Sequence, residues 1–257
     1  MQKYETLEQV FYLPDGRKLL RIKALRDFGN VKAGTIGGFI MRFENLSQTG
    51  DCWIAENAVA AGWSRVSGDA LLTGRAFIDH RAMAAGNSVI RDEACVLEHS
   101  FVYGNALVGE KSVIAGVATV AGEAVVLCRS RYSSSGKTKI PNVRDMAFIR
   151  DRARLEGAVC VRDDALVGDD AVVRGNARIT EKSRVLGNAV VENLAIIGEE
   201  ASILQSARIS GRSKIMGRAA VAGNAQVRGK SYVTCRAYIC RNAVVVDEII
   251  GGEEVRQ

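Results

Sequence analysis

The chain keeps a six-residue beat of apolar and polar positions. A small residue recurs at every sixth place from Cys52 to Ser130 and again from Ala147 to Ala243, and a branched aliphatic residue stands two places after it. The two runs hold 14 and 17 hexads; the small position is Ala or Ser in all but Cys52 and Val159, and the second is Val, Ile or Leu in all but Ala60, Ala84 and Tyr132. A helix turning once in 3.6 residues would carry such positions around every face. A strand keeps positions two apart on one side, so both members of each pair face inward while their neighbours face water. Gly-Asn often precedes the small residue, as at Gly86-Asn87, Gly104-Asn105, Gly175-Asn176, Gly187-Asn188 and Gly223-Asn224, and both residues tolerate the positive φ of a sharp corner. Each hexad reads as one short strand plus one corner, which predicts an all-β chain wound as a single-stranded parallel β-helix.

Residues 1–49 stand outside the beat. "VFYLPDGRKLLRIKAL" predicts a strand, a Pro-Asp-Gly turn and a second strand, an N-terminal hairpin cap for a helix end that would otherwise offer unpaired backbone. The β-helix is expected over 50–246, and the acidic, apolar tail 247–257 is expected to fold over the last coil or to dock on a second subunit.

The hexad resembles the repeat of the hexapeptide-repeat proteins, many of which are acyltransferases. That resemblance implies a left-handed helix of triangular coils, against the right-handed rule for parallel crossovers. At three hexads per coil it implies about ten coils and, at roughly 4.8 Å per strand, a prism on the order of 50 Å long. The segment "IKALRDFGNVKAGTIGGFIMRFENLSQTGDCWIAENA" resembles the N-terminal signature of the bacterial and phage-borne YdcK-like proteins, through Leu25, Asp27, Phe28, Gly29, Val31, Lys32, Ala33, Gly34, Gly37, Gly38, Asn45, Leu46, Ser47, Gly50 and Trp53.

Composition adds limits. Hydrophobic residues make up 47% and charged ones 25%, ordinary for a soluble globular protein, while 6% aromatics and two prolines point to a core of small and branched aliphatics. No apolar run is long enough to cross a bilayer and the N-terminus lacks a secretory apolar stretch, so a cytoplasmic protein without membrane contact is expected. The six cysteines form no CxxC and no metal-ligand spacing, so no metal site is expected.

The beat breaks at "SSGKTKIPNVR", residues 134–144. If "CRSRYS" (128–133) is still a hexad, an 11-residue loop carrying Lys137 and Lys139 leaves the prism and the beat resumes at Asp145. "GKT" does not make a phosphate loop, because Arg131 stands where the first Gly of that motif belongs and strands follow in place of a helix. The loop is a solvated insertion, a lid or a partner contact.

Candidate chemistry lies off the beat. The chain has two histidines, His80 and His99. A coil of three hexads places His80 below Glu98 and next to His99 on one corner, and Ser134, where the loop is expected to depart, three coils further along that corner. The resemblance implies an acyl-CoA-dependent acyltransferase in which His80 or His99 deprotonates the acceptor and Glu98 orients or raises the pKa of the imidazole. The plain alternative is a pair of surface histidines at turns.

Net charge is +6, but its distribution is uneven. From Ala201 to Val246 there is no Asp or Glu, while Arg208, Arg212, Lys214, Arg218, Arg228, Lys230, Arg236 and Arg241 supply eight cations. Stacking coil on coil puts Arg212 beneath Lys230 and Arg218 beneath Arg236, two basic ladders whose like charges repel unless an anion or solvent offsets them. The expected partner is an acidic protein surface or a nucleic-acid or nucleotide phosphate, with Tyr232 and Tyr238 available to stack on bases. The leading expectation is a non-catalytic scaffold presenting a basic face, which requires no cofactor; the YdcK-like resemblance implies in addition a phage- or prophage-borne, host-directed setting. The alternative is the acyltransferase, using acetyl-CoA or another acyl-CoA held by the ladders. The resemblance further implies a homo-oligomer, and a third reading is end-to-end self-assembly.

Overall fold

The computed structural model describes residues 2–128, the strands Arg131–Tyr132 and Lys139–Ile140, and residues 142–257. Along the repeats most strands are two residues long, and each pairs in parallel with the equivalent strand three hexads further on. Trp53–Ile54 lies against Leu71–Leu72, Val59–Ala60 against Phe77–Ile78, and Arg65–Val66 against Met83–Ala84. Three successive hexads therefore close one coil, and the chain winds past three faces in turn. We call them face A (from Trp53), face B (from Val59) and face C (from Arg65).

Faces A and C are each sheets of 11 strands, so the parallel β-helix has eleven coils against the ten expected. Face B is divided into two sheets that meet through Val143, which bridges Ile114 and Val161. Inside, the small and branched positions of the hexads are buried among the described residues: Ala171, Val173, Ala189 and Val191 are each fully enclosed, as are Ser183 and Ser213. Each branched side chain contributes about 1.5–3 kcal/mol by burial. The corner residue adopts the left-handed conformation whether it is Gly86 (φ 66°) or Asp92 (φ 61°), so Gly-Asn is one of several ways to turn.

At the N-terminus β1 (Tyr4–Tyr12) and β2 (Lys18–Ala24) form the expected hairpin, and β2 pairs antiparallel with β3 (Ile36–Ile40). β3 then pairs in parallel with Val59–Ala60, and Leu46 bridges Val66 on face C. The first coil thus begins inside the segment read as a separate cap, before residue 50. A Cβ at Gly38 would collide with the Ala58 carbonyl oxygen, and one at Gly37 would meet the Trp53 ring at 2.5 Å. Those two signature glycines let β3 lie close on the coil above. Tyr4, Ile22, Phe28 and Trp53 join the same core, with the Tyr4 hydroxyl 2.7 Å from the Phe43 carbonyl and 3.0 Å from that of Leu46.

Two expectations are corrected. The tail does not fold back: Ile249–Ile250 stacks on Tyr232–Val233 and Val255–Arg256 on Tyr238–Ile239, so the coil continues past residue 246 through a turn one residue shorter than the others. The interruption is also displaced. Cys128 still pairs with Gly157 on face A, Arg131–Tyr132 pairs antiparallel with Lys139–Ile140, and Val143 is fully buried in the stack. "CRSRYS" is therefore not a hexad, and Asn142 and Val143 belong to the coil, not to the loop. Asn142 holds the return: its Oδ1 accepts from Val113 N–H at 3.0 Å and its Nδ2 donates to the Val159 carbonyl at 3.0 Å.

Candidate basic groove and histidine corner

The excursion leaves at the corner between faces A and B. His80, Glu98 and His99 lie at the next corner, between faces B and C, so the loop does not rise beside them as the count to Ser134 implied. His80 and Glu98 hold the corner positions with φ of 61° and 62°, and all three residues are exposed. Glu98 is committed to the backbone: its Oε2 accepts from Gly116 N–H at 2.5 Å. The same bond, from a corner side chain to the N–H one coil on, recurs at Glu56 with Gly74, Asp92 with Glu110, Asp169 with Gly187 and Gln205 with Gly223. Glu98 thus has the role of a corner clamp.

Sequence reasoning missed the buried acid on this corner. Asp79 receives a bidentate pair from Arg17 of the hairpin turn at 2.8 and 2.7 Å, and its Oδ1 also accepts from His80 N–H at 2.6 Å. Burial works against the charged carboxyl, but Arg17 and the His80 N–H outweigh it and hold Asp79 below the usual carboxylate range. The signal was an acid directly before a corner residue, where the coils on either side carry Ala61 and Leu97.

The eight cations of the C-terminal coils do not share one surface. Arg208 and Arg228 project from face A and Arg241 sits at the corner between faces C and A. Arg218 and Arg236, at the corner between faces B and C, are paired: Arg218 with Glu200 at 2.8 Å and Arg236 with Glu253 at 3.5 Å. That ladder is largely neutralised. Similar rungs, each spanning one coil, join Arg152 to Asp170 and Arg174 to Glu192.

The other ladder stays open. Arg212 and Lys230 at the corner between faces A and B line a groove of about 630 Å³ with Lys214, Met216, Ser231 and Tyr232. A second hollow of about 310 Å³ shares Arg212 and Lys214 and adds Asn176, Arg178, Leu194 and Ile196. The side chains of Arg178, Arg212, Lys214 and Lys230 are exposed and form no ion pair among the described residues. Arg178, which the acid-free window omitted, joins the patch because Ile196 and Lys214 stack above it on face B. The excursion leaves at this same corner, four coils below Arg212; Lys137 lies outside the described residues, and only the backbone of Lys139 is described.

A further hollow of about 580 Å³ at the corner between faces C and A is lined by Glu123, Asp151, Asp169, Asp170 and Arg152. No group of three or more His, Cys, Asp or Glu among the described residues is placed to hold a metal ion. None of the six cysteines is joined in a disulfide, and burial pushes the thiols of Cys52 and Cys128 up. No helix among the described residues is long and apolar enough to cross a membrane.

The histidine corner and the open ladder are separated by about six coils, roughly 30 Å along the prism. Arg178, the lowest cation of the open patch, is four coils from His99, roughly 19 Å.

No family model matches the chain. It is 43% identical over 82 residues to the uncharacterized acetyltransferase YdcK of Escherichia coli K12, a match that takes in 29% of this chain and 25% of that protein. The chain thus spans a quarter of the length of the curated relative it matches. The crystal structure of the Francisella novicida UDP-N-acetylglucosamine acyltransferase aligns at 11% identity and a TM-score of 0.27, covering 76% of this chain and 66% of that one. The chain is an all-β parallel solenoid of hexapeptide repeats, similar to YdcK over less than a third of its length.

Proposed function

We propose that the chain is a rigid binding prism whose face B, along the C-terminal coils, presents a basic groove to an anionic partner. The observation that carries this reading is selective pairing. Arg152, Arg174, Arg218 and Arg236 each find an acid on the adjoining coil, whereas Arg178, Arg212, Lys214 and Lys230 line two hollows that share Arg212 and Lys214, and their side chains form no ion pair among the described residues. Stacked like charges about 5 Å apart cost stability, and an anion laid along them removes that cost. No cofactor enters this reading.

The test is titration with poly-L-glutamate at low and moderate salt. The wild type should bind in a salt-sensitive manner, and the Arg212→Glu, Lys214→Glu double variant should lose binding while keeping its melting temperature. Equal binding by both proteins would overturn the reading.

A second reading, acyl transfer, is favoured by the likeness to YdcK, which carries an acetyltransferase name. In it His80 or His99 serves as general base and an acyl-CoA such as acetyl-CoA as donor. Titration with acetyl-CoA, repeated on His80→Ala and His99→Ala, separates the two: saturable coenzyme binding supports transfer, and its absence leaves the binding prism. In both readings a second copy of the chain and a phage-encoded origin are proposals from the resemblance, and a cytoplasmic setting is a proposal from the pattern of apolar residues.

A further inference from the structure

The open ladder is not a plain track of positive charge. Along face B and its corner the coils read Arg178, then Leu194 with Ile196, then Arg212 with Lys214, then Lys230 with Tyr232, then Ile249. At intervals of roughly 4.8 Å, an apolar row separates Arg178 from the two cationic rows above it, and the upper of those also carries Tyr232. These apolar side chains are open to solvent: Leu194 is 47% exposed, Tyr232 37% and Ile249 82%. They stand on outward positions where the fold makes no demand for them, since the inward positions of the same rows, Ile197, Val233 and Ile250, already fill the core.

Resting on the basic-groove reading, we infer that the partner is a protein segment carrying acidic and apolar side chains on one face, and not a nucleic acid. A phosphate backbone is matched by cations that continue along its path, with affinity drawn from counterion release. Here the cationic path is interrupted by the Leu194 and Ile196 row and closed by Asp247 and Glu248 at the same corner of the last coil. An amphipathic acidic segment meets both kinds of row: its carboxylates pair with Arg212, Lys214 and Lys230, while its apolar side chains cover Leu194, Ile196, Met216 and Tyr232. Arg, Tyr and Met are the residue types enriched where proteins meet proteins.

The experiment uses the full chain and three fluorescent probes: a peptide of alternating Glu and Leu, one of alternating Glu and Ser with the same charge, and single-stranded oligothymidylate. The Glu-Leu peptide should bind more than about tenfold tighter than the Glu-Ser peptide, because at least one buried Leu is worth that factor. Lys214→Glu should abolish binding, whereas Arg184→Glu, which makes the same charge change on face C, should leave it unaltered. Leu194→Ser with Tyr232→Ala should bring the Glu-Leu peptide down to the level of the Glu-Ser one. Equal binding of the two peptides, or tighter binding of the oligonucleotide, would overturn the protein partner while leaving the basic groove standing. Failure of all three probes to respond to Lys214→Glu would remove the basic-groove reading with it.

Discussion

Asn142 offers a sharp test of how the excursion is tied to the prism. Only 2% of this residue is exposed, and its amide satisfies a backbone donor on one coil, Val113 N–H, and a backbone acceptor on the next, Val159 C=O. Asn142→Ala leaves both buried groups without those partners, at about 1–3 kcal/mol each, so we expect a loss of roughly 2–6 kcal/mol. Asn142→Asp keeps the acceptor for Val113 but sets a carboxylate oxygen against the Val159 carbonyl in a dry site. That variant should be at least as damaged at neutral pH, and its deficit should shrink with acid, because burial raises the folded pKa and the neutral form regains a donor. The assay is urea unfolding at pH 7 and at pH 4, reading the midpoint with the slope held in common. A loss below about 0.5 kcal/mol for Asn142→Ala would refute the clamp, as would an Asn142→Asp deficit that does not change with pH.

Three further outcomes follow from the packing. Val173→Asp puts a charge in a fully buried stack position and should unfold the neighbouring coils, so an unchanged melting curve would contradict the inward frame. Asp79→Asn should destabilise the chain at neutral pH by about 1–3 kcal/mol, discounted because Arg17 is about a third exposed. Because the folded carboxyl is held below its unfolded value, that stability is present above about pH 4 and is lost as pH falls through the folded pKa, so the melting temperatures of wild type and variant should converge in acid. Gly217→Ala places a Cβ 2.7 Å from the Cys235 backbone at φ 67°, whereas Gly16→Ala at φ 83° meets nothing within 4 Å. Thermal denaturation should show the former costing at least about 1 kcal/mol more than the latter.

The coil was legible because its demand is local and repeated: each hexad needs one small and one branched residue, and Ala171 with Val173 states the rule as well as Ala189 with Val191 does. The exit of the excursion was not, because Ser130 keeps the small position one hexad too far while the true branched residue, Val143, follows Pro141 where the small residue should stand. The paired ladder was legible and overlooked. Counting back one coil from Arg218 reaches Glu200, one residue before the acid-free window opened. Glu98 was misread for a related reason: Glu56 and Asp92 hold the same place in their hexads, and a carboxylate there reaches the next coil's N–H, not an imidazole. The open groove depends on which cations lack a rung, and that emerges only when acids and bases are placed on corners together.

The stack runs on across the interruption with its pairing intact, since Cys128 meets Gly157 and Val143 sits between Ile114 and Val161. Departure and return share a single corner, which makes that corner a splice point. Closure entropy grows by only about 0.6 kcal/mol for each doubling of a flexible segment. The intervening stretch can therefore be lengthened, or exchanged for a folded payload with adjacent ends, while the groove that begins two coils above keeps its shape, and a prism of this kind becomes a rod on which cargo and recognition are varied independently.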